Sequence, residues 1–398
     1  MNITQVLNEA HNRDDSTIGA ANLLNKFGSP LTPTIDFSSA HSFYSNAELI
    51  EYHNDKYNSL RYNRDSKEII YQAEVYFRHI FKKEYSLIVD SGMRAVTIAI
   101  NSMLKEIDKI YLPHEVYRKT RDYCTYLKSI SAISELIIYD NLDLSLEDVT
   151  DKSLIIMESF SNPHLIISDF EYIKNLKEQV NCKVILDSTF SGLFNHKDTL
   201  NFVDLEVQSL TKYIGGYNDI VGGVIVTNSH QFYKDCWDIR SREGGVLDAM
   251  SGYLLIRSLR DFDLRWGKQN TNVQEIFHFL KESEQVGTIF FPGKQNNEKQ
   301  NELFSKYYTF SGSVLSFVSK VDVSELSDKL KGFKSIKIAP SFGSIDTLIE
   351  IPSIMSHYGK NDQYFQDIKL ERNLIRLSIG CEPIEMIIND LKMLLGIV

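Results

Sequence analysis

Short apolar runs recur through the first part of the chain, at 85–89, 109–112, 135–139, 154–157, 184–186, 203–207 and 224–226. Each is short enough for a strand, and several are apolar almost throughout, as expected of strands covered on both faces. Helical spacing fills several of the gaps. Ile69, Ala73, Tyr76 or Phe77 and Ile80 form one stripe, and Val96, Ala99, Ile100 and Met103 another. Ser168-Asp169-Phe170-Glu171 reads as a capping box ahead of Ile173, Leu176 and Val180. After about residue 248 the pattern changes. A long helical stretch with Leu254, Leu255, Leu259 and Leu264 is predicted over 248–282, and a polar exposed loop at 295–300. Strands are predicted at 313–318, 335–338 and 373–379. A closing helix follows Pro383, with Ile384, Ile387, Ile388, Leu391, Leu394 and Leu395 on one stripe.

Apolar strands alternating with helices predict an α/β fold with a mostly parallel seven-stranded sheet. The later texture predicts a smaller C-terminal α+β domain. Residues 1–60 are polar and aromatic-rich with little helical periodicity, and read as an extended arm. The expected division is therefore an arm at 1–60, a ligand-binding domain at 61–247 and a C-terminal domain at 248–398. In sheets of this kind ligands bind outside the carboxyl ends of the strands. Ser91-Gly92-Met93, residues 158–163, Asp187-Ser188-Thr189 and Ser209-Leu210-Thr211-Lys212 all stand at such ends, so they are expected to converge.

Composition narrows the class of protein. The formal charge is −10, which argues against a nucleic-acid partner, since phosphate backbones call for a basic face. Cys124, Cys182, Cys236 and Cys381 are scattered and form no C-x-x-C pair, as in a reduced, cytoplasmic protein. No signal peptide and no membrane-length apolar run is evident, and no histidine pair has metal-ligand spacing.

The unusual stretch is Ser209-Leu210-Thr211-Lys212-Tyr213-Ile214-Gly215-Gly216, continuing through Asp219 to Gly222-Gly223. It sets a lysine between two apolar runs. A lysine shielded from water that gives up its charge becomes a nucleophilic amine able to form a Schiff base. Gly92 and Met93 offer amides at a helix start, where an anion is favoured, and Ser209 and Thr211 offer hydroxyls. Asp187 closes an apolar run and requires a cationic or donor partner if buried. Phosphate, imine and carboxylate are the three attachment points of pyridoxal phosphate.

The ordered set then resembles the Cys/Met-metabolism family of pyridoxal-phosphate enzymes, which includes cystathionine γ-synthase, cystathionine lyases and methionine γ-lyase. The similarity runs from about Thr32 to the C-terminus. It rests on the lysine stretch, Ser91-Gly92-Met93, Glu158-Ser159 with Asn162-Pro163, Asp187 with Thr189-Phe190, Ser341 with Gly343, and Leu374-Ile375-Arg376-Leu377-Ser378-Ile379-Gly380. The resemblance implies the aspartate-aminotransferase-like fold, fold type I of these enzymes. It implies Lys212 as the cofactor lysine that also moves the α proton, and Asp187 as the partner of the ring nitrogen. Tyr117 would stack on the ring and assist proton transfer. Gly92, Met93, Ser209 and Thr211 would hold the phosphate, joined by Tyr62 and Arg64 from a neighbouring subunit. Asn162 would contact the ring hydroxyl or the substrate carboxylate, and Arg376 would grip that carboxylate, with Ser341 beside it. Shared sites imply at least a homodimer, and the family implies a dimer of dimers.

Where the chain departs from the family pattern, the substrate pocket is concerned. Arg118-Lys119 follow Tyr117 where small residues are usual, Asp65-Ser66-Lys67 follow Arg64, Tyr217 stands in place of a common histidine, and Pro340 precedes Ser341. Arg118 and Lys119 are candidates for recognising an acidic side chain or anionic leaving group. The implied activity is β- or γ-elimination, or γ-replacement, on a sulfur-containing or O-activated homoserine-type amino acid. The alternatives are an aminotransferase on the same fold and a non-catalytic protein that binds the cofactor.

Overall fold

The computed structural model describes residues 3, 5–6, 32–54, 56–57, 61–142, 144–193, 195, 200–322 and 329–397. Much of the expected arm therefore lies outside the described residues. The part within them carries a helix, α1 (Asn46–Asn54), which corrects the expectation of an extended segment without helix. Two compact units are present. One comprises Met1–Glu106, Asp204–Gly215 and Asp219–Asp263; the other comprises Ile107–Val203, Gly216–Asn218 and Leu264–Val398.

The first unit contains α2 (Glu68–Phe81), β1 (Tyr85–Val89), α3 (Gly92–Met103), β6 (Leu205–Ser209), β7 (Gly223–Thr227), α6 (His230–Glu243) and α7 (Ala249–Leu259). The second contains β2 (Lys109–Pro113), α4 (Arg118–Ser129), β3 (Glu135–Tyr139), β4 (Ser153–Glu158), α5 (Phe170–Val180) and β5 (Lys183–Asp187). It continues with β8 (Val286–Phe290), α9 (Glu298–Tyr307), β9 (Val314–Ser319), β10 (Lys337–Ile338), β11 (Leu348–Glu350), α10 (Asp362–Asp367), β12 (Leu374–Ser378) and α11 (Ile384–Leu395). The helix α8 (Phe262–Glu282) begins in the first unit and runs on into the second.

The larger sheet has seven strands in the order β1-β7-β6-β5-β4-β2-β3, and the smaller has five in the order β10-β11-β12-β9-β8. β2 pairs in parallel with β3 and β4, and β4 with β5, whereas β7 runs antiparallel to both β1 and β6. The α/β architecture, mostly parallel in its larger sheet, is as the pattern predicts. One face of the smaller sheet is covered by α8 and α11, whose Val273, Ile276, Leu280, Ile387, Leu391 and Leu394 pack with Leu315, Phe317, Ile375 and Leu377. No helix among the described residues is long and apolar enough to cross a membrane.

Local chemistry corrects several boundaries. The helix α5 is capped by Asp169 and not by Ser168, because Asp169 Oδ1 accepts the Glu171 and Tyr172 N–H groups at 3.2 and 3.4 Å. The stretch over 248–282 is two helices. It breaks at Arg260-Asp261, where Asp261 and Asp263 are residue types suited to starting a new helix. Helix α9 takes up the end of the expected 295–300 loop. β10 is shorter than expected because the N–H groups of Lys334, Ser335 and Ile336 are taken by the Asp390 carboxylate on α11.

One buried ion pair braces the first unit. Arg240 of α6 lies 2.9 Å from Glu74 of α2, with the two side chains 1% and 3% exposed. Arg240 also donates to the carbonyls of Ile88 and Asp65, both at 2.7 Å. Glu74 Oε1 in turn accepts the Ile88 N–H at 2.8 Å. The edge strand β1 is thus tied from its backbone to two helices. Removing one partner of such a pair leaves an uncompensated buried charge. Arg240→Leu is expected to lower unfolding free energy by about 3–5 kcal/mol in urea titration.

Candidate active site

In the first unit the turn at the start of α3 and the lysine turn are built against each other. Ser91 caps α3 by accepting the Arg94 N–H at 3.1 Å, leaving the amides of Gly92 and Met93 at the helix start. A Cβ on Gly92 would stand 2.8 Å from Ser209 Cβ and 2.9 Å from its Oγ, so only glycine lets the turn approach the end of β6 this closely. Ser209 pairs with Gly223 across β6 and β7. A Cβ on Gly223 would come within 2.4 Å of the Ser91 carbonyl oxygen. Beyond Ser209 the chain folds back on itself. The Leu210 N–H donates to Gly222 O at 2.9 Å, the Gly222 N–H to Thr211 Oγ1 at 3.1 Å, and the Gly215 N–H to Leu210 O at 2.7 Å. Lys212 sits half-buried at the head of this turn. Tyr62 and Arg64 are exposed, with the guanidinium 5.0 Å from the tyrosine ring centre.

In the second unit, the carboxyl ends of β4 and β5 place Glu158 and Asp187 in register. Asp187 Oδ1 accepts the Thr189 N–H at 3.0 Å and its hydroxyl at 2.5 Å. Glu158 Oε1 accepts the Tyr117 N–H at 2.8 Å, which fixes the start of α4 and leaves the Tyr117 side chain 46% exposed. Burial, reinforced by the Asp187 charge, holds the Glu158 carboxyl well above its usual range and favours the neutral acid. Its Oε2 has no hydrogen-bond partner among the described residues.

The second unit also assembles an arginine cluster. Arg376 of β12 is 5% exposed and faces Glu350 of β11, its partner across the ladder, in a buried ion pair. Its Nη1 donates to Asn162 Oδ1 at 2.9 Å and its Nη2 to Ser341 O at 3.0 Å. Ser341 holds φ at +113°, a conformation that L-residues rarely adopt and that typically costs about 1–3 kcal/mol. A guanidinium has five N–H donors, so these three acceptors leave capacity for a ligand carboxylate. The two cations after Tyr117 are engaged within the protein. Arg118 donates to the Ser356 carbonyl at 3.1 Å, and Lys119 pairs with Asp122 of its own helix at 3.1 Å. Tyr217 lies 5.2 Å beneath the Arg265 guanidinium.

Sequence reasoning missed Glu350, and it quoted Glu158 without a role. Each is a lone carboxylate beside apolar neighbours, in Leu348-Ile349-Glu350-Ile351 and Ile155-Ile156-Met157-Glu158, and that pattern was the available signal. His164 and its carboxylate partners were missed for want of any local pattern.

A seven-stranded, mostly parallel sheet with a smaller mixed sheet, a lysine turn against a glycine-bearing helix start, and carboxylates at strand ends are the features against which the family is matched. Residues 20–395 match the family described as Cys/Met metabolism PLP-dependent enzyme, and the chain belongs to that family. A cystathionine β-lyase of Lactococcus lactis subsp. cremoris is 29% identical over 308 residues, 76% of this chain and 79% of that protein. The fold matches the crystal structure of cystathionine γ-synthase from Xanthomonas oryzae pv. oryzae in complex with cystathionine. The TM-score is 0.86 at 24% identity, covering 100% of this chain and 98% of the other. It also matches an O-acetylhomoserine (thiol)-lyase of Campylobacter jejuni subsp. jejuni that carries a pyridoxyl-lysine monophosphate. There the TM-score is 0.87 at 22% identity, over the whole of both chains. These relatives catalyse different reactions, so membership fixes the family and its cofactor class without fixing the reaction.

Glu158 gives a pH test. The folded state binds this proton more tightly than the unfolded one, so the group's contribution to stability falls as pH rises above the ordinary value of 4.5. Glu158→Gln, which is neutral and of the same shape, is expected to lose less stability than wild type between pH 5 and pH 8 in denaturant titrations.

Proposed function

We propose that this chain is a PLP-dependent lyase or transferase that eliminates or replaces a β or γ substituent of an amino acid. Its substrate is sulfur-containing or an O-activated homoserine. The observation that carries the reading is the lysine turn after β6, closed on its own backbone within a chain matched by the family over residues 20–395. The residues fit the cofactor. The Gly92 turn forms a close-set cradle that a Cβ would fill, with amides and a hydroxyl suited to a phosphate, and Asp187 is a carboxyl fixed at a strand end.

When bound, pyridoxal phosphate supplies an aldehyde that links to amines and a ring that takes up the electron pair left by loss of a proton. Lys212 Nζ would be the amine that holds the cofactor aldehyde and would move the α proton. Asp187 would keep the proton on the ring nitrogen, and Tyr117 would stack on the ring and assist proton transfer. Gly92, Met93, Ser209 and Thr211 bind the phosphate. Arg376, with Asn162 and Ser341 beside it, orients the substrate α-carboxylate, for which a planar guanidinium is suited. Arg118 and Lys119 are candidates for recognising an acidic side chain or anionic leaving group, and would exchange their contacts with Ser356 and Asp122 to do so. Tyr62 and Arg64 complete the phosphate site of a neighbouring copy, so the active form is at least a homodimer, and the family resemblance extends this to a dimer of dimers.

The purified protein given pyridoxal phosphate is expected to show the visible absorbance of a lysine-linked cofactor, and Lys212→Ala to lose it. Absence of that band in wild type overturns the reading. Offered cysteine, cystathionine, methionine and O-acylated or O-phosphorylated homoserine, the enzyme should release a 2-oxo acid and ammonia, or a new amino acid if it replaces. Amine transfer to an added 2-oxo acid, without elimination, points instead to a transaminase. Gly92→Ala should weaken cofactor binding about tenfold or more in absorbance titration, because the cradle must open.

A further inference from the structure

The turn that carries Asn162 is held by a charge cluster centred on a buried histidine, which the proposed chemistry does not use. His164 is 5% exposed. Its Nδ1 is bound to Glu115 Oε1, and its Nε2 lies 2.9 Å from Glu371 Oε2. Glu115 precedes α4 and Glu371 precedes β12, so the imidazole joins segments far apart in sequence. Both partners are carboxylates, which accept hydrogen bonds when ionised. Only an imidazole protonated on both nitrogens donates to both of them.

The same cluster grips the turn's backbone. Glu115 Oε2 accepts the Ser161 hydroxyl at 2.6 Å and the His164 N–H at 3.3 Å. Ser161 closes the turn by donating its N–H to Ile166 O at 2.9 Å and accepting the Ile166 N–H on Oγ at 3.0 Å. Ser316 of β9 donates to Pro163 O at 2.7 Å. The one side chain this frame presents to the arginine cluster is Asn162, whose Oδ1 takes the Arg376 Nη1–H at 2.9 Å.

We infer that His164, as an imidazolium shared by Glu115 and Glu371, is a positioning residue that sets Asn162 against Arg376 and thereby governs the binding of the substrate carboxylate. The inference rests on the functional reading above, in which Arg376 receives that carboxylate. Burial opposes the charge on His164, but hydrogen bonds to Glu115 and Glu371 outweigh it and raise its pKa to about 9. The charged groups against the ring are those two carboxylates, and Phe290 of β8 packs edge-on at 4.6 Å. The folded pKa is raised, so the clamp is fully formed below the ordinary histidine value of 6.5 and is lost as pH rises through about 9.

The test uses the cofactor-loaded enzyme with wild type, His164→Gln and Glu371→Gln. Glycine, which has no β or γ substituent to lose, serves as the probe, and its dissociation constant is read from the cofactor absorbance. At pH 7 both variants are expected to keep the lysine-linked absorbance, to bind glycine about tenfold more weakly, and, with the amino acid that wild type turns over, to raise KM more than they lower kcat. A histidine NMR signal absent from His164→Gln should titrate near pH 9 in wild type. Glu371 is 45% exposed, so its variant carries the test should His164→Gln fail to fold. Unchanged glycine affinity in the folded variants, with the cofactor band intact, overturns the inference and leaves the functional reading standing. A wild type without the band overturns both.

Discussion

A guanidinium taken out of water must meet acceptors where the chain places it, and that constraint governs both units. Arg240 meets it at its two Nη atoms with Glu74 and two backbone carbonyls, its Nε finding no acceptor among the described residues, and so fixes the edge of β1. Arg376 satisfies it with Glu350, Asn162 and the carbonyl of Ser341. A buried pair contributes little net stability compared with an apolar equivalent, yet it is costly to break. Its effect is therefore on placement. Ser341, whose carbonyl takes one of these bonds, holds a strained positive φ that persists only where surrounding structure supports it.

The larger fold was legible because burial on both faces leaves a plain record: seven apolar runs, each within about two residues of an observed strand. The lysine turn was legible for a different reason. Its glycines are required by close approach, and close approach leaves glycine in the sequence. The misplaced boundaries have physical causes that lie elsewhere in the chain. Asp390 takes the amides that would have lengthened β10, and no proline or glycine marks the break between α7 and α8. Arg376 could be singled out from its own strand, but Glu350 became its partner only once β11 and β12 paired.

Carboxylates do opposite work at neighbouring positions. Asp187 is held by two donors from Thr189, whereas Glu158 accepts a single amide, and its burial with the charges of Asp187 and Glu115 outweighs the more favourable charge of Arg121. Glu115 and Glu371 show the complementary case, in which the buried His164 offers one ring nitrogen to a largely buried carboxylate and the other to one that remains 45% exposed.

The antiparallel return of β7 beside β6 has a bearing on how the chain folds. Most pairings in the larger sheet join strands separated by a helix, and their ends must be brought together over long loops. β6 and β7 pair across residues 210–222 alone. Closing so short a loop carries a small entropic cost, and contacts that are near in sequence form early. The segment bearing Lys212 can therefore take its final shape as a hairpin-like nucleus, before the distant strands that complete the sheet have found their places.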